Sequence, residues 1–117
     1  MPSTNKGSVM FPLSPNAKIF VYSEPTNMRK SFEGLCLLVE NTFSTSPISD
    51  SFFVFINRRK DCMKVLYWDI DGLAIWYKRL EKGSFPKGRK TIISRREFVM
   101  LLEGITPKKL NHRYSIF

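Results

Sequence analysis

The clearest regular patterning lies in the middle of the chain. Three runs rich in β-branched and aromatic residues predict strands over 52–57, 62–69 and 73–80. Their connections are short: Asn57–Asp61 joins the first two. A tight turn at Asp71-Gly72, or over the four residues from Asp69 to Gly72, joins the last two. Such connections give an antiparallel meander. Either turn yields the same faces, with Lys64, Leu66 and Trp68 on one side beside Leu73, Ile75, Tyr77 and Arg79. Met63, Val65 and Tyr67 lie on the other side beside Ala74, Trp76 and Lys78.

Upstream, Ala17 to Tyr22 reads as a further strand, ended by Ser23-Glu24-Pro25. Thr26 or Asn27 then caps a helix predicted over 28–43, with Met28, Phe32, Leu35 and Val39 at the spacing of one buried stripe. Gly34 within it costs about 1 kcal/mol relative to alanine and points to close packing there. Ser44 to Asp50, with Pro47, is a loop, and the chain turns polar again from Glu81 to Lys90. Ser94 followed by Glu97 is a capping-box pattern. The helix it opens carries Phe98, Leu101 and Leu102 inward and stops near Gly104, before Pro107. The expected architecture is an α+β domain over residues 17–106, a small antiparallel β-meander sheet with two helices packed on one face. A flexible N-terminal arm (1–16) and a basic C-terminal tail (107–117) flank it.

A chain of 117 residues supports one core. Its ten Phe, four Tyr and two Trp are assigned mainly to that core, because few other large apolar residues are present to fill it. The functional alternative is that some aromatics stack on unpaired bases. Charge changes the picture more. Nineteen Lys and Arg against ten Asp and Glu leave a net charge of +9 and favour a polyanionic partner. The excess is concentrated: twelve basic and four acidic residues lie between Asn57 and Arg96. The hairpin ends and the Arg58-Arg59-Lys60 loop would then form a basic rim able to track phosphates.

Other classes find less support. Apolar runs reach only five residues, as in Leu35–Val39 and Phe98–Leu102, against about 20 for a spanning helix. With no secretory pattern at the N-terminus, the chain reads as cytoplasmic. Cys36 and Cys62 form no CxxC pair and read as buried free thiols, and the single His112 has too few companions for a zinc site. Asp61, Asp69 and Asp71 are the one carboxylate group that could hold nuclease metals. All three fall in or beside turns, where Asp is favoured for its local hydrogen bonds. No catalytic residue, metal site or cofactor motif is assigned.

The segment Pro25-Thr26-Asn27-Met28-Arg29-Lys30-Ser31-Phe32-Glu33-Gly34-Leu35 resembles the "PTDMRKSFDGL" signature of the TnpB (second open reading frame) accessory proteins of IS-sixty-six type insertion sequences. Phe53-Val54-Phe55, Asn57-Arg58-Arg59 and Asp61 are similar to that family's "FVFxNRRxD" segment. Lys64, Leu66, Trp68-Asp69, Gly72 and Trp76 to Glu81 match its continuation, completed by Gly83 and Phe85. The likeness runs in order from about Ala17 to Ile105, with Asn27 and Glu33 standing where the family has Asp. It implies a non-catalytic accessory protein for DNA transposition, encoded beside a separate transposase. DNA and that transposase are the expected partners, with no membrane. The alternative to DNA binding is a protein–protein adaptor that docks on the transposase through Trp68 or Trp76. Basic residues within or beside the matching segments are the candidates for nucleic-acid binding: Arg29, Lys30, Arg58, Arg59, Lys60, Lys64, Lys78 and Arg79.

Overall fold

The run Phe52-Phe53-Val54-Phe55 is apolar at every position, so a strand made from it must be covered on both faces. That requirement organises the molecule. The computed structural model describes residues 16–86 and 88–103. Strand β1 (Ile19–Val21) is followed by helix α1 (Phe32–Phe43), then by β2 (Phe52–Ile56), β3 (Cys62–Asp69) and β4 (Gly72–Arg79). The short β5 (Ile92–Ile93) and helix α2 (Arg95–Leu102) complete the order.

The five strands form one open sheet in the order β4-β3-β2-β1-β5. The expected antiparallel meander is present as β2-β3-β4, with Asp69 opposite Gly72 across a two-residue turn. The α+β class therefore holds, and two details differ from expectation. First, the sheet is mixed, because β1 pairs with β2 in parallel and with β5 antiparallel. A parallel neighbour needs a long crossover, and α1 lies within it.

Second, the helices lie on opposite faces of the sheet rather than on one. Phe52, Val54, Met63 and Val65 pack with Phe98, Leu101 and Leu102 of α2. Phe53, Phe55 and Leu66 pack with Leu35 and Val39 of α1. The physical reason is the double-sided apolar β2, whose alternate side chains need a separate cover each. The aromatics serve the core as expected, with Phe53, Phe55, Phe85 and Phe98 fully buried.

Helix α1 begins later than the spacing predicts, at Phe32, with Ser31 as its N-cap. Asn27 caps a turn instead: its Oδ1 accepts from Arg29 N–H (2.8 Å) and its carbonyl from Lys30 N–H (3.0 Å). Leu35 and Val39 form the buried stripe, while Phe32 stands 43% exposed. At Gly34 a Cβ would lie 3.2 Å from Cγ of Lys30, so the crowding there is local, against an exposed side chain one turn earlier. At α2 the capping box is formed in full, with Ser94 Oγ accepting from Glu97 N–H (3.1 Å) and Glu97 Oε1 accepting from Ser94 N–H (2.8 Å). Burial pushes the Glu97 carboxyl up, but the Ser94 and Lys90 hydrogen bonds outweigh it and leave the group below its ordinary range. The flexible arm apart from Asn16, the helix stop at Gly104, the basic tail and His112 lie outside the described residues.

Candidate nucleic-acid interface

Strand direction sorts the loops into two groups. The ends of β1, β2 and β4 and the starts of β3 and β5 meet at one end of the sheet. Segments 22–31, 57–61 and 78–91 therefore share one pole. Their described residues include ten Lys or Arg and three acids, Glu24, Asp61 and Glu81. The loops of the opposite pole, 44–51 and 69–72, carry Asp50, Asp69 and Asp71 and no basic residue. Lys18, Arg95 and Arg96 lie towards that second end, so the polarity is strong rather than complete.

The hairpin loop between β2 and β3 is the most tightly built part of the basic pole. Asn57 Oδ1 accepts from the backbone N–H groups of Asp61 (3.1 Å) and Cys62 (3.0 Å), and its Nδ2 donates to Asp61 Oδ1 (2.8 Å). Its carbonyl also accepts from Lys60 N–H (3.0 Å), and Lys60 adopts a left-handed backbone with φ 62°. This Asn–Asp clamp leaves Arg58 and Arg59 at the tip, both exposed. The Asn57 hydrogen bond above all holds the Asp61 carboxyl below its ordinary value, against desolvation, with lesser help from Cys62 and the nearby Arg59 charge.

The segment after β4 is tied to the same loop, since Leu80 N–H donates to Asp61 O (2.8 Å) and Phe85 N–H to Lys60 O (2.7 Å). A cavity of about 250 Å³ lies where these walls meet the end of β1, with Tyr22, Pro25, Ile56, Arg58, Pro86 and Arg89 among its lining. Beside it a second hollow of about 460 Å³ is lined by Thr26, Asn27, Met28 and Arg59, and shares Pro25, Asn57 and Arg58 with the first.

The eight nominated cations divide. Arg29, Lys30, Arg58, Arg59 and Arg79 are exposed at the basic pole, and Lys60 is half-buried in the cavity wall. Lys64 is not at the surface. Only 8% exposed, its ammonium donates to the carbonyls of Met28 (2.8 Å) and Lys30 (2.7 Å) and lies 5.0 Å from the Tyr77 ring centroid. Lys78 donates to the carbonyl of Leu102 (2.8 Å), at the end of α2, where a cation complements the helix dipole. These two lysines hold the turn before α1 and the end of α2 against opposite faces of the sheet.

Arg89 and Lys90 line the first cavity although neither was nominated. They reach it because Val21 N–H donates to Thr91 O (2.8 Å) next to β5, a strand too short to announce itself in the sequence. Lys90 also pairs with Glu97 at 2.9 Å. The three candidate metal carboxylates do not come together. Asp61 and Asp69 stand at opposite ends of β3, roughly 25 Å apart at the usual rise per residue. No group of three metal-ligating side chains occurs among the described residues. Trp68 Nε1 donates to Ile70 O (3.1 Å), and Trp76 is half-buried against the core beneath α2. Cys36 and Cys62 are free thiols, and burial pushes the Cys36 thiol up. No helix among the described residues is long and apolar enough to cross a membrane.

Fold and site together define an open mixed sheet, covered by one helix on each face, whose cationic loops converge at one end. The chain belongs to the family described as IS66 Orf2 like protein, which matches residues 17–112. Membership assigns it to the accessory proteins of insertion-sequence transposition. Two proteins of Sinorhizobium fredii (strain NBRC 101917 / NGR234) are similar to it. "Uncharacterized protein y4hO" is 31% identical over 100 residues, 82% of this chain and 87% of the relative. "Uncharacterized protein y4jC" is 31% identical over 96 residues, 79% of this chain and 82% of the relative. No solved structure matches the chain.

Proposed function

We propose that this protein is a non-catalytic accessory of insertion-sequence transposition that binds DNA through its basic pole. The observation that carries this reading is the convergence of Arg29, Lys30, Arg58, Arg59 and Arg79, exposed and outside any ion pair among the described residues, at one end of the sheet. Held on a clamped turn, Arg58 and Arg59 lose little further backbone freedom on meeting phosphates, so the ordering cost is confined to their side chains. The expected partner is the DNA of the element or its target, and contacts of this kind position a protein without reading bases.

A salt titration tests it. Each phosphate contact adds about 0.9 to the slope of log affinity against log salt. Replacing Arg58 and Arg59 by Ala therefore flattens the slope by about 1.8 and weakens binding on all sequences alike. Between 50 and 200 mM salt the gap between wild type and variant should shrink by roughly tenfold. Absence of DNA binding by the wild type at low salt refutes the reading.

A second reading, the adaptor that docks on the transposase, draws support from β4. This strand of eight residues has β3 as its sheet neighbour and is otherwise an outer edge among the described residues, with Tyr77 53% exposed. Copurification with transposase that survives nuclease treatment and is lost in Tyr77→Asp supports it; a complex that disappears with the DNA excludes it.

A further inference from the structure

The two adjoining hollows at the basic pole differ in chemistry. Val21, Pro25, Ile56 and Pro86 give the smaller one, of about 250 Å³, apolar walls, and Arg58, Lys60 and Arg89 stand around it. It also contains Glu24, which disfavours a phosphate inside. The larger hollow has Arg58 and Arg59 on its lining and no carboxylate. Arg58 belongs to the wall they share.

We infer that these two compartments form a site for one unpaired nucleotide of a DNA strand, with its base in the apolar hollow and its phosphate on Arg58 and Arg59. This inference rests on the DNA-binding reading above. A phosphate alone has no use for the apolar walls, and a base pair within a duplex cannot enter a hollow of that size. A single base can, and it gains from contact of its flat faces with apolar surface. The walls are preformed by backbone bonds, Thr26 N–H to Ile56 O (2.9 Å), Phe85 N–H to Lys60 O (2.7 Å) and Val21 N–H to Thr91 O (2.8 Å), so the nucleotide meets a built cavity. The side chain of Asn57, which could otherwise read a base edge, is occupied by Asp61 and Cys62. The site therefore selects for an unpaired base, and Asn57 takes no part in choosing which base it is. It fits frayed or extended ends better than the interior of a duplex.

The test uses the full chain and three labelled probes: a blunt duplex, the same duplex with a short unpaired DNA extension, and the same with an RNA extension. Fluorescence anisotropy should show the DNA extension bound roughly fivefold or more tighter than the blunt end, the lower bound for one stacked base. Ser23 is an exposed residue on the lining of the apolar hollow. Ser23→Leu should fill it and abolish the preference, leaving blunt-duplex affinity within about twofold, while Lys18→Ala at the far end of β1 changes neither. Equal affinity of the wild type for blunt and extended DNA overturns the nucleotide site and leaves the DNA-binding reading standing. No binding to any probe overturns both. Tighter binding to the RNA extension, or a preference retained in Ser23→Leu, overturns the assignment as stated.

Discussion

Lys64→Met separates a structural lysine from a DNA-binding one within a single sequence signature. Lys64 is 8% exposed and bonded to two carbonyls, those of Met28 and Lys30. Methionine replaces the stem but offers those carbonyls no donor. Leaving a buried acceptor unpaired costs about 1–3 kcal/mol, and because both of these bonds are part-buried, about 2–6 is the upper bound for the two. Part of this returns, because burying an ammonium is itself unfavourable and the variant no longer does so. The net expectation is a loss of about 2–3 kcal/mol, a large share of a typical stability of about 5–15. In an equilibrium urea titration with a slope of about 1–2 kcal/mol/M, the midpoint should fall by roughly 1–2 M. The salt slope of DNA affinity, measured where the variant is still folded, should stay at the wild-type value. A midpoint unchanged within error would refute the anchoring role, and a slope flatter by about one would show that the ammonium contacts phosphate.

Three further outcomes follow from single sites. Lys78→Met removes the cation from the carbonyl of Leu102 and should cost about 1 kcal/mol; an unchanged urea midpoint counts against the tether. Ile70 is 87% exposed and left-handed, with φ 57°, in the β3–β4 turn. Ile70→Gly should relieve about 1–2 kcal/mol of backbone strain against a loss of about 0.5–1 in unfolded-state entropy, raising the melting temperature by a few degrees; a lower one defeats the argument. The Asp61 carboxyl is held below its ordinary value of 3.8, mainly by Asn57. A group depressed in the folded state stabilises above its unfolded pKa and ceases to do so as pH falls through its folded one. The stability gap between wild type and Asp61→Ala should thus be full at pH 6 and narrow below about pH 4, and a gap independent of pH would contradict the clamp.

Much of the fold was legible because strand period, turn residues and the Ser94–Glu97 box all act locally. The meander, its register and the buried stripe Phe98, Leu101 and Leu102 needed no distant information. The start of α1 did, because the carbonyls of Met28 and Lys30 are taken by Lys64, more than thirty residues away, and not by helix N–H groups. The faces of the two helices were misjudged for a related reason: β2 reads simply as apolar, and only its central place in the sheet makes both its sides interior. The cationic loops were visible as a charge excess, whereas Arg89 and Lys90 join Arg58 only through the two-residue β5.

The division among the basic residues follows from where each sits on the hairpins. On a strand, alternate side chains are committed to a face, so a lysine at position 64 or 78 points towards a helix or its entry turn and must find carbonyls there. At a turn tip no face is imposed, and Arg58 and Arg59 remain free to meet solvent or phosphate. The two groups are nonetheless mechanically linked. Lys64 fixes the turn that carries Arg29 and Lys30, and Lys78 fixes the end of α2 next to the edge strand that carries Arg79. Gathering like charges at one pole raises self-repulsion there, and part-buried lysine-to-carbonyl bonds anchor the pole without adding acids that would cancel its field. An ion pair in the same places would hold the loops as well, but its carboxylate would lower the positive field at the pole.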